Sequence, residues 1–360
     1  MAKLKVIVPL LNKRSLPVGD TTDKSNVIGK VKEGFEFESV EQQKNALGDW
    51  FKDRDGSWYW GGGVSKGDAE LSEIEKSNGH QIPWWMLQFK IPEIWSMYNE
   101  KGVNAKVAVI DSGYNTVNPE IKDGVVAEYV HPSFPDTVTI NDILGHGSYC
   151  ASIIGARNRL QIIGCAPDCK LFVAKVTSRG IYDNNKVKDA IKWAIDQQVD
   201  IISLSIGGDK NDDINALITI AQQKNIIVIS SIGNNDNPES IIEGGDFPAL
   251  YSDTIAVGAT DEANKLSKVT LLNEKTEINA PGENISGYIL DLIPGTLPAG
   301  TSQATAIVAG ICALIVSRHR SLNRNYTSKT IRELICNNTN PVSDFPNQKL
   351  ISPTKIFEKI

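Results

Sequence analysis

Four stretches of the chain, residues 105–110, 171–176, 201–206 and 226–232, are continuously apolar rather than alternating. That is the pattern of strands buried on both faces. Between the later ones, residues 185–198 and 213–224 repeat apolar positions at helical spacing, with Val187, Ile191, Ala194 and Ile195 on one face. Strands alternating with amphipathic helices predict β-α-β units, and so an α/β fold of three layers around a mostly parallel sheet. Ligands of such sheets gather beyond the carboxyl ends of the strands, which is where chemistry is sought first.

The first sixty-odd residues have another texture. Short β-rich runs at 5–10, 27–31, 35–40 and 58–60 are separated by turn chemistry at 17–20, 33–34 and 55–56, which predicts a small all-β barrel. Trp50, Phe51, Trp58, Tyr59 and Trp60 fall in this region. Together with 11–17, Val27-Ile28-Gly29 and Gly34, these aromatics make residues 1–64 resemble a bacterial SH3-like (SH3b) domain. The resemblance implies a binding face for a peptide or a cell-wall glycan, while barrel core and rim is the alternative use of the same aromatics. Residues 65–82 are largely polar and charged and are expected to be a linker, leaving 83–360 as the large domain.

Composition narrows the function classes. With 360 residues, 41% hydrophobic and 22% charged, the chain is expected to be a soluble globular protein. A net charge of −6 argues against nucleic acid or an anionic membrane as partner. The longest apolar stretch, about 304–316, is interrupted by Gly310 and is too short to predict a membrane span. Residues 1–11 lack a signal-peptide core, and the five cysteines are odd in number and sparse, so a cytoplasmic location is expected. Cys165 and Cys169 have no second pair at ligand spacing and read as small buried hydrophobes.

Four local patterns carry chemistry. The first strand ends in Asp111, a carboxylate costly to bury without a partner. Gly145-His146-Gly147 leads into an apolar helix, and glycines on both sides let other groups approach an imidazole suited to general-base work. The other histidines, His80, His131 and His319, lie in a linker, a proline-flanked loop and a basic helix end. Gly300-Thr301-Ser302 opens a long apolar helix, where Ser302 is either a plain cap or a nucleophile surrounded by free N–H groups. Finally, the strand at 226–232 runs into Gly233-Asn234, whose amide can donate to an oxyanion. Asp111, His146, Asn234 and Ser302 together supply an orienter, a base, an oxyanion donor and a nucleophile.

These motifs, in this order, make residues 83–360 resemble the subtilisin-like serine proteases, or subtilases. The resemblance matches 107–113, 145–151 and 300–306 to the family's Asp, His and Ser motifs. It implies a subtilisin-like fold, a catalytic triad of Asp111, His146 and Ser302, and Asn234 in the oxyanion hole. Leu204-Ser205-Ile206-Gly207-Gly208 resembles the strand that pairs with substrate, and 279–282 is a further family segment. Alignment on Phe247-Pro248 implies that Asp246 lies at the base of the pocket for the residue before the scissile bond, where a carboxylate selects Lys or Arg. The alternative is that Asp246 points to solvent or caps a turn. Two positions depart from the family pattern: Ala306 stands for a usual proline and Tyr149 for a second histidine. The usual inhibitory prodomain has no evident counterpart.

The chain is therefore expected to be a serine endopeptidase that needs no redox or nucleotide cofactor and cleaves chosen protein or peptide substrates by limited proteolysis. The acidic stretch 209–213 is expected to be a solvated face rather than a calcium site. The alternative is a latent protease acting mainly as a recognition protein through its SH3-like domain.

Overall fold

The computed structural model describes residues 2–6, 10–14, 27–32, 36–45, 48–60, 64–66, 82–235 and 243–360. The chain divides into two compact units, Met1–Gln81 and Ile82–Ile360. Most of the expected linker, and the turns at 17–20 and 33–34, lie outside the described residues.

In the first unit the strands are β1 (Ala2–Val6), β2 (Leu10–Arg14), β3 (Val27–Lys32), β4 (Glu36–Ser39), β5 (Glu41–Asn45), β6 (Gly48–Lys52), β7 (Trp58–Trp60) and β8 (Val64–Lys66). They pair antiparallel into a sheet ordered β4-β1-β8 and another ordered β3-β2-β7-β6-β5. Trp50, Phe51, Trp58 and Tyr59 are buried. These four aromatics are core, the second of the two uses foreseen for them. Asp53 closes the turn before β7 by accepting from the Ser57 amide (2.8 Å) and the Tyr59 hydroxyl (2.8 Å).

The second unit begins with α1 (Trp84–Gln88) and α2 (Ile91–Tyr98). It continues through β9 (Lys106–Asp111), α3 (Pro119–Lys122), β10 (Val125–Val130), α4 (His146–Gly155) and β11 (Lys170–Lys175). Then come α5 (Asn184–Asp196), β12 (Ile201–Leu204), α6 (Asp212–Gln223), β13 (Ile227–Ser231), β14 (Thr254–Thr260) and β15 (Ile278–Pro281). A small hairpin of β16 (Gly287–Tyr288) and β17 (Pro294–Gly295) precedes α7 (Thr301–Ser321), α8 (Ser328–Asn337), β18 (Thr339–Pro341), β19 (Lys349–Ile351) and α9 (Pro353–Phe357). The large sheet is ordered β10-β11-β9-β12-β13-β14-β15-β19-β18, parallel throughout except for the antiparallel β18–β19 pair.

Because side chains alternate along a strand, each central strand feeds two cores. Val107 and Val109 face the core built around α4 and α7, while Ala108 and Ile110 face the one closed by α5 and α6. The same split holds for Leu171 and Val173 against Phe172 and Ala174. Burial on both faces is the reason these strands read as unbroken apolar runs. By length and composition alone, α7 could cross a membrane, contrary to the expectation from residues 304–316. Its buried share of 89% makes it a central core helix, apolar all round because protein surrounds it on every side. The glycine at position 310 does not interrupt it: a Cβ there would lie 2.5 Å from that of Cys165, so Gly310 is where α7 meets the chain closely.

Asp212 and Asp213, from the acidic stretch, form the first turn of α6 behind the Asn211 cap and pair with Lys210 and Lys188. Negative charge there favours the helix dipole.

Candidate active site

β9, β12 and β13 are neighbours in the sheet, and their carboxyl ends deliver Asp111, Ser205 and Asn234 to one edge. Asp111 is the last residue of β9 and fully buried. Its Oδ1 accepts from the Ser112 amide at 2.7 Å, and both carboxylate oxygens lie 2.9 Å from His146 Nδ1. The imidazole is thus held through Nδ1.

His146 opens α4 after Gly145, whose φ of 87° is the left-handed region that favours glycine. At Gly147 the reason for glycine is different: a Cβ would lie 2.2 Å from the Gly113 carbonyl oxygen, so no side chain fits between the His and Asp loops. The Gly147 amide donates to Ser112 Oγ at 2.9 Å, joining the two loops.

A group that the sequence did not single out organises this corner. Buried Asp142 accepts through Oδ1 from the Leu144 and Gly145 amides (both 2.9 Å) and through Oδ2 from the Ser148 amide (2.9 Å) and hydroxyl (2.8 Å). It caps the helix that carries His146 without being adjacent to it. The buried Lys175 ammonium donates to the Asn141 carbonyl at 2.6 Å, just before it. Burial works against the imidazolium of His146. The charge and hydrogen bond of Asp111, with the smaller field of Asp142, more than offset it and raise the pKa above the ordinary 6.5.

Ser302 lies in the first turn of α7, and its carbonyl accepts from Ser205 Oγ at 3.1 Å. Asn234 Oδ1 accepts from the Thr301 amide and hydroxyl, each at 2.9 Å. Asn234 and Ser302 are thereby tied to the same helix end. Cys150, fully buried, completes the floor: its sulfur, a carboxylate oxygen of Asp111 and a His146 nitrogen lie within 4.8 Å of one another. Burial raises the Cys150 pKa, which keeps a proton on the sulfur and disfavours metal ligation. The sequence did not single out Cys150, because nothing in the local pattern places it beneath the Asp–His pair.

Asp246 donates its amide to the Ile232 carbonyl at 2.8 Å. Its Oδ2 occupies the space that a side chain at Gly207 or Gly233 would need, since an added Cβ would fall 2.4 Å and 2.5 Å from it. The half-buried carboxylate therefore nests between the chain after β12 and the chain after β13, beside a groove lined by Tyr182, Ile206, Gly208 and Phe247. Larger cavities lie at the opposite, amino ends of the strands, one of them walled by the Arg332–Glu277 pair.

Tyr149, the departure from the second histidine, is fully buried, and its hydroxyl donates to the Ile285 carbonyl and accepts from the Leu297 amide (3.4 Å). It ties the His146 helix to the segment that leads to Ser302. Ala306 is also fully buried, inside α7.

Residues 102–353 match the model of the subtilase family (Peptidase_S8). The "Major intracellular serine protease" of Bacillus subtilis (strain 168) is 30% identical over 270 residues, covering 73% of this chain and 84% of that relative. The "Intracellular serine protease" of Paenibacillus polymyxa is 30% identical over 281 residues, 75% of this chain and 84% of the relative. "Subtilisin NAT" of Bacillus subtilis subsp. natto is 33% identical over 256 residues, 70% of this chain but 65% of the relative's length.

Proposed function

The chain belongs to the subtilase family, and within this subtilisin-like serine endopeptidase we propose that Ser302 is the nucleophile, His146 the general base and Asp111 its orienter. Ser302 Oγ attacks the peptide carbonyl while His146 Nε2 takes its proton. The negative charge that develops on the carbonyl oxygen is met by the Asn234 amide and the Ser302 N–H at the positive end of α7. His146 then protonates the departing amine, and water, deprotonated by the same imidazole, releases the acyl group from Ser302. The observation that carries this reading is the Asp111 carboxylate with both oxygens 2.9 Å from His146 Nδ1. The ties from Asn234 and Ser205 to the Thr301–Ser302 helix start support it. Labelling with a fluorophosphonate probe should be lost in Ser302→Ala, and labelling that persists at this site would overturn the assignment.

Ser205, Ile206 and Gly207 form the edge along which substrate backbone is laid, and Asp246 selects Lys or Arg before the scissile bond. Its nest against Gly207 and Gly233 supports that placement, because a carboxylate at the floor of a narrow slot attracts a long cationic side chain. The domain organisation we propose is an SH3-like barrel over 1–64, a linker over 65–82 and the catalytic domain over 83–360. The barrel binds a peptide or cell-wall glycan and restricts cleavage to chosen partners. The names of two relatives, both intracellular serine proteases, support action in the cytoplasm. Binding of full-length Ser302→Ala to arrayed peptides and glycan fragments tests the barrel's role, and no specific ligand would remove it.

A further inference from the structure

A helix that carries a reactive serine on its first turn must have a fixed start. The usual device, a side-chain cap on the residue before the helix, accepts a hydrogen bond from the second or third helical amide. In α7 the second residue is Ser302 itself, whose N–H the oxyanion requires. The helix opens instead on Gly300, which has no side chain to cap with.

The start is held by contacts that leave the Ser302 N–H alone. Asn234 Oδ1 takes the Thr301 amide, the Gly300 amide donates to the Gly282 carbonyl at 3.0 Å, and Ser205 Oγ donates to the Ser302 carbonyl. A further grip comes from Gln303, the residue after the serine. Its buried carboxamide turns back past the helix start, and Nε2 donates to the Pro298 carbonyl at 2.7 Å. Its Oε1 lies 2.8 Å from where a Cβ at Gly300 would be, and Asn234 Nδ2 lies 3.3 Å from the same point. The two carboxamides therefore bear on one side of Gly300.

Pro298 is itself tied to the other catalytic helix. The adjacent Leu297 amide donates to the Tyr149 hydroxyl at 3.4 Å, and Tyr149 belongs to α4, in the turn that follows His146. Residues 297–298 are thus gripped from both sides, by Tyr149 from the helix of the base and by Gln303 from the helix of the nucleophile.

We propose that Gln303 is a positioning residue: through the 297–298 segment it sets where Ser302 stands relative to His146, and through Gly300 it steadies Asn234. The proposal rests on the roles assigned above to these three residues. Gln303 needs no contact with substrate for this, because about 1 Å of misplacement in a reacting group can cost on the order of a hundredfold in rate.

The test compares the full-length chain with two variants. Gln303→Met keeps the length of the side chain but cannot donate; Gln303→Glu keeps its shape but turns a carboxylate toward the Pro298 carbonyl. Active sites are titrated with a fluorophosphonate, so that kcat is expressed per reactive Ser302. Inhibition by a peptide boronic acid measures affinity for a tetrahedral adduct on that serine. In both variants kcat per titrated site should fall about tenfold, the boronic acid should bind about tenfold more weakly, and KM should change less than about twofold. Adding Tyr149→Phe to Gln303→Met should cost less than Tyr149→Phe costs alone, because both act on one segment. If Gln303→Met does not fold, Gln303→Glu carries the comparison. A side chain that only stabilises the fold would lower Tm and the titratable fraction and leave the per-site values untouched. That result, a fall carried by KM alone, or strictly multiplicative losses in the double variant would overturn the proposal. Absence of labelling in the wild type would instead strike the assignment of Ser302, so the two failures are distinguishable.

Discussion

Replacing Asp142 by Asn changes one atom of a group that does not touch substrate, and it should alter both stability and the acid limb of activity. The carboxylate accepts four hydrogen bonds at 2.8 to 2.9 Å in a buried setting. An amide can accept only through its oxygen. If that oxygen keeps the Leu144 and Gly145 amides, the new NH2 faces Ser148, whose hydroxyl can turn to accept but whose amide is orphaned. An orphaned buried N–H costs about 1–3 kcal/mol, and the two remaining bonds each lose charge assistance worth about 1 kcal/mol. The total, about 3–5 kcal/mol, corresponds to a fall in Tm of roughly 6–20 °C for a domain of this size.

The electrostatic part has a definite sign. The negative charge of Asp142 helps hold the His146 pKa above its ordinary value, although Asp111 contributes more. Removing that charge lowers the pKa, so neutral His146, the general base we propose, persists to lower pH and the acid limb of kcat/KM moves down. Linkage runs the same way. A raised histidine pKa adds stability that is fully present below about 6.5 and fades as pH rises through the folded value, and the variant loses part of that increment. The assay is kcat/KM against pH together with thermal unfolding. Mere loss of folded protein scales the curve without moving its midpoint. An unmoved or raised midpoint, or a Tm within a degree of the wild type, would refute the reasoning.

Other outcomes follow from the same contacts. Asp246→Asn should reduce kcat/KM for Lys and Arg substrates by about 10- to 100-fold, the worth of a charge-assisted bond, with little change for Leu or Phe; matched peptide series would measure it. Gly147→Ala sets a methyl against the Gly113 carbonyl and should destabilise by about 3 kcal/mol or more, an overpacking cost with no side chain able to give way; denaturant unfolding checks it. Tyr149→Phe removes the hydroxyl bridge to Ile285 and Leu297. It should lower kcat more than it raises KM, with a Tm loss of about 3 °C from roughly 1 kcal/mol of net hydrogen bonding.

Four of the central strands and the helices α5 and α6 were legible in the chain because burial on both faces leaves an unbroken apolar run, and a helix packed on one side leaves a stripe; β14 (Thr254–Thr260), though buried throughout, was not read. β9, β11, β12 and β13 fall within a residue or two of the apolar runs, and α5 and α6 do the same for the helical stripes. β10 left no such trace, because it is only partly buried and its exposed positions carry Val126 and Glu128. β15 was hidden by Asn279 and Pro281, polar or conformationally restricted residues inside a buried strand, where Asn279 reaches across to the β19 chain through the Lys349 carbonyl.

What the sequence determined by itself is the chemistry that short stretches of chain encode. An aspartate ending a buried strand, a histidine between glycines and a serine opening an apolar helix each need only local geometry to be recognised, and their order names the family. Only the tertiary structure could reveal Cys150 under the Asp–His pair or Tyr149 bridging to the segment before Ser302. Each of these depends on residues far apart in the chain being brought within hydrogen-bonding or van der Waals distance. Pairwise contacts of that kind leave no period or motif in the sequence; they come into being when the sheet assembles and its loops lock together.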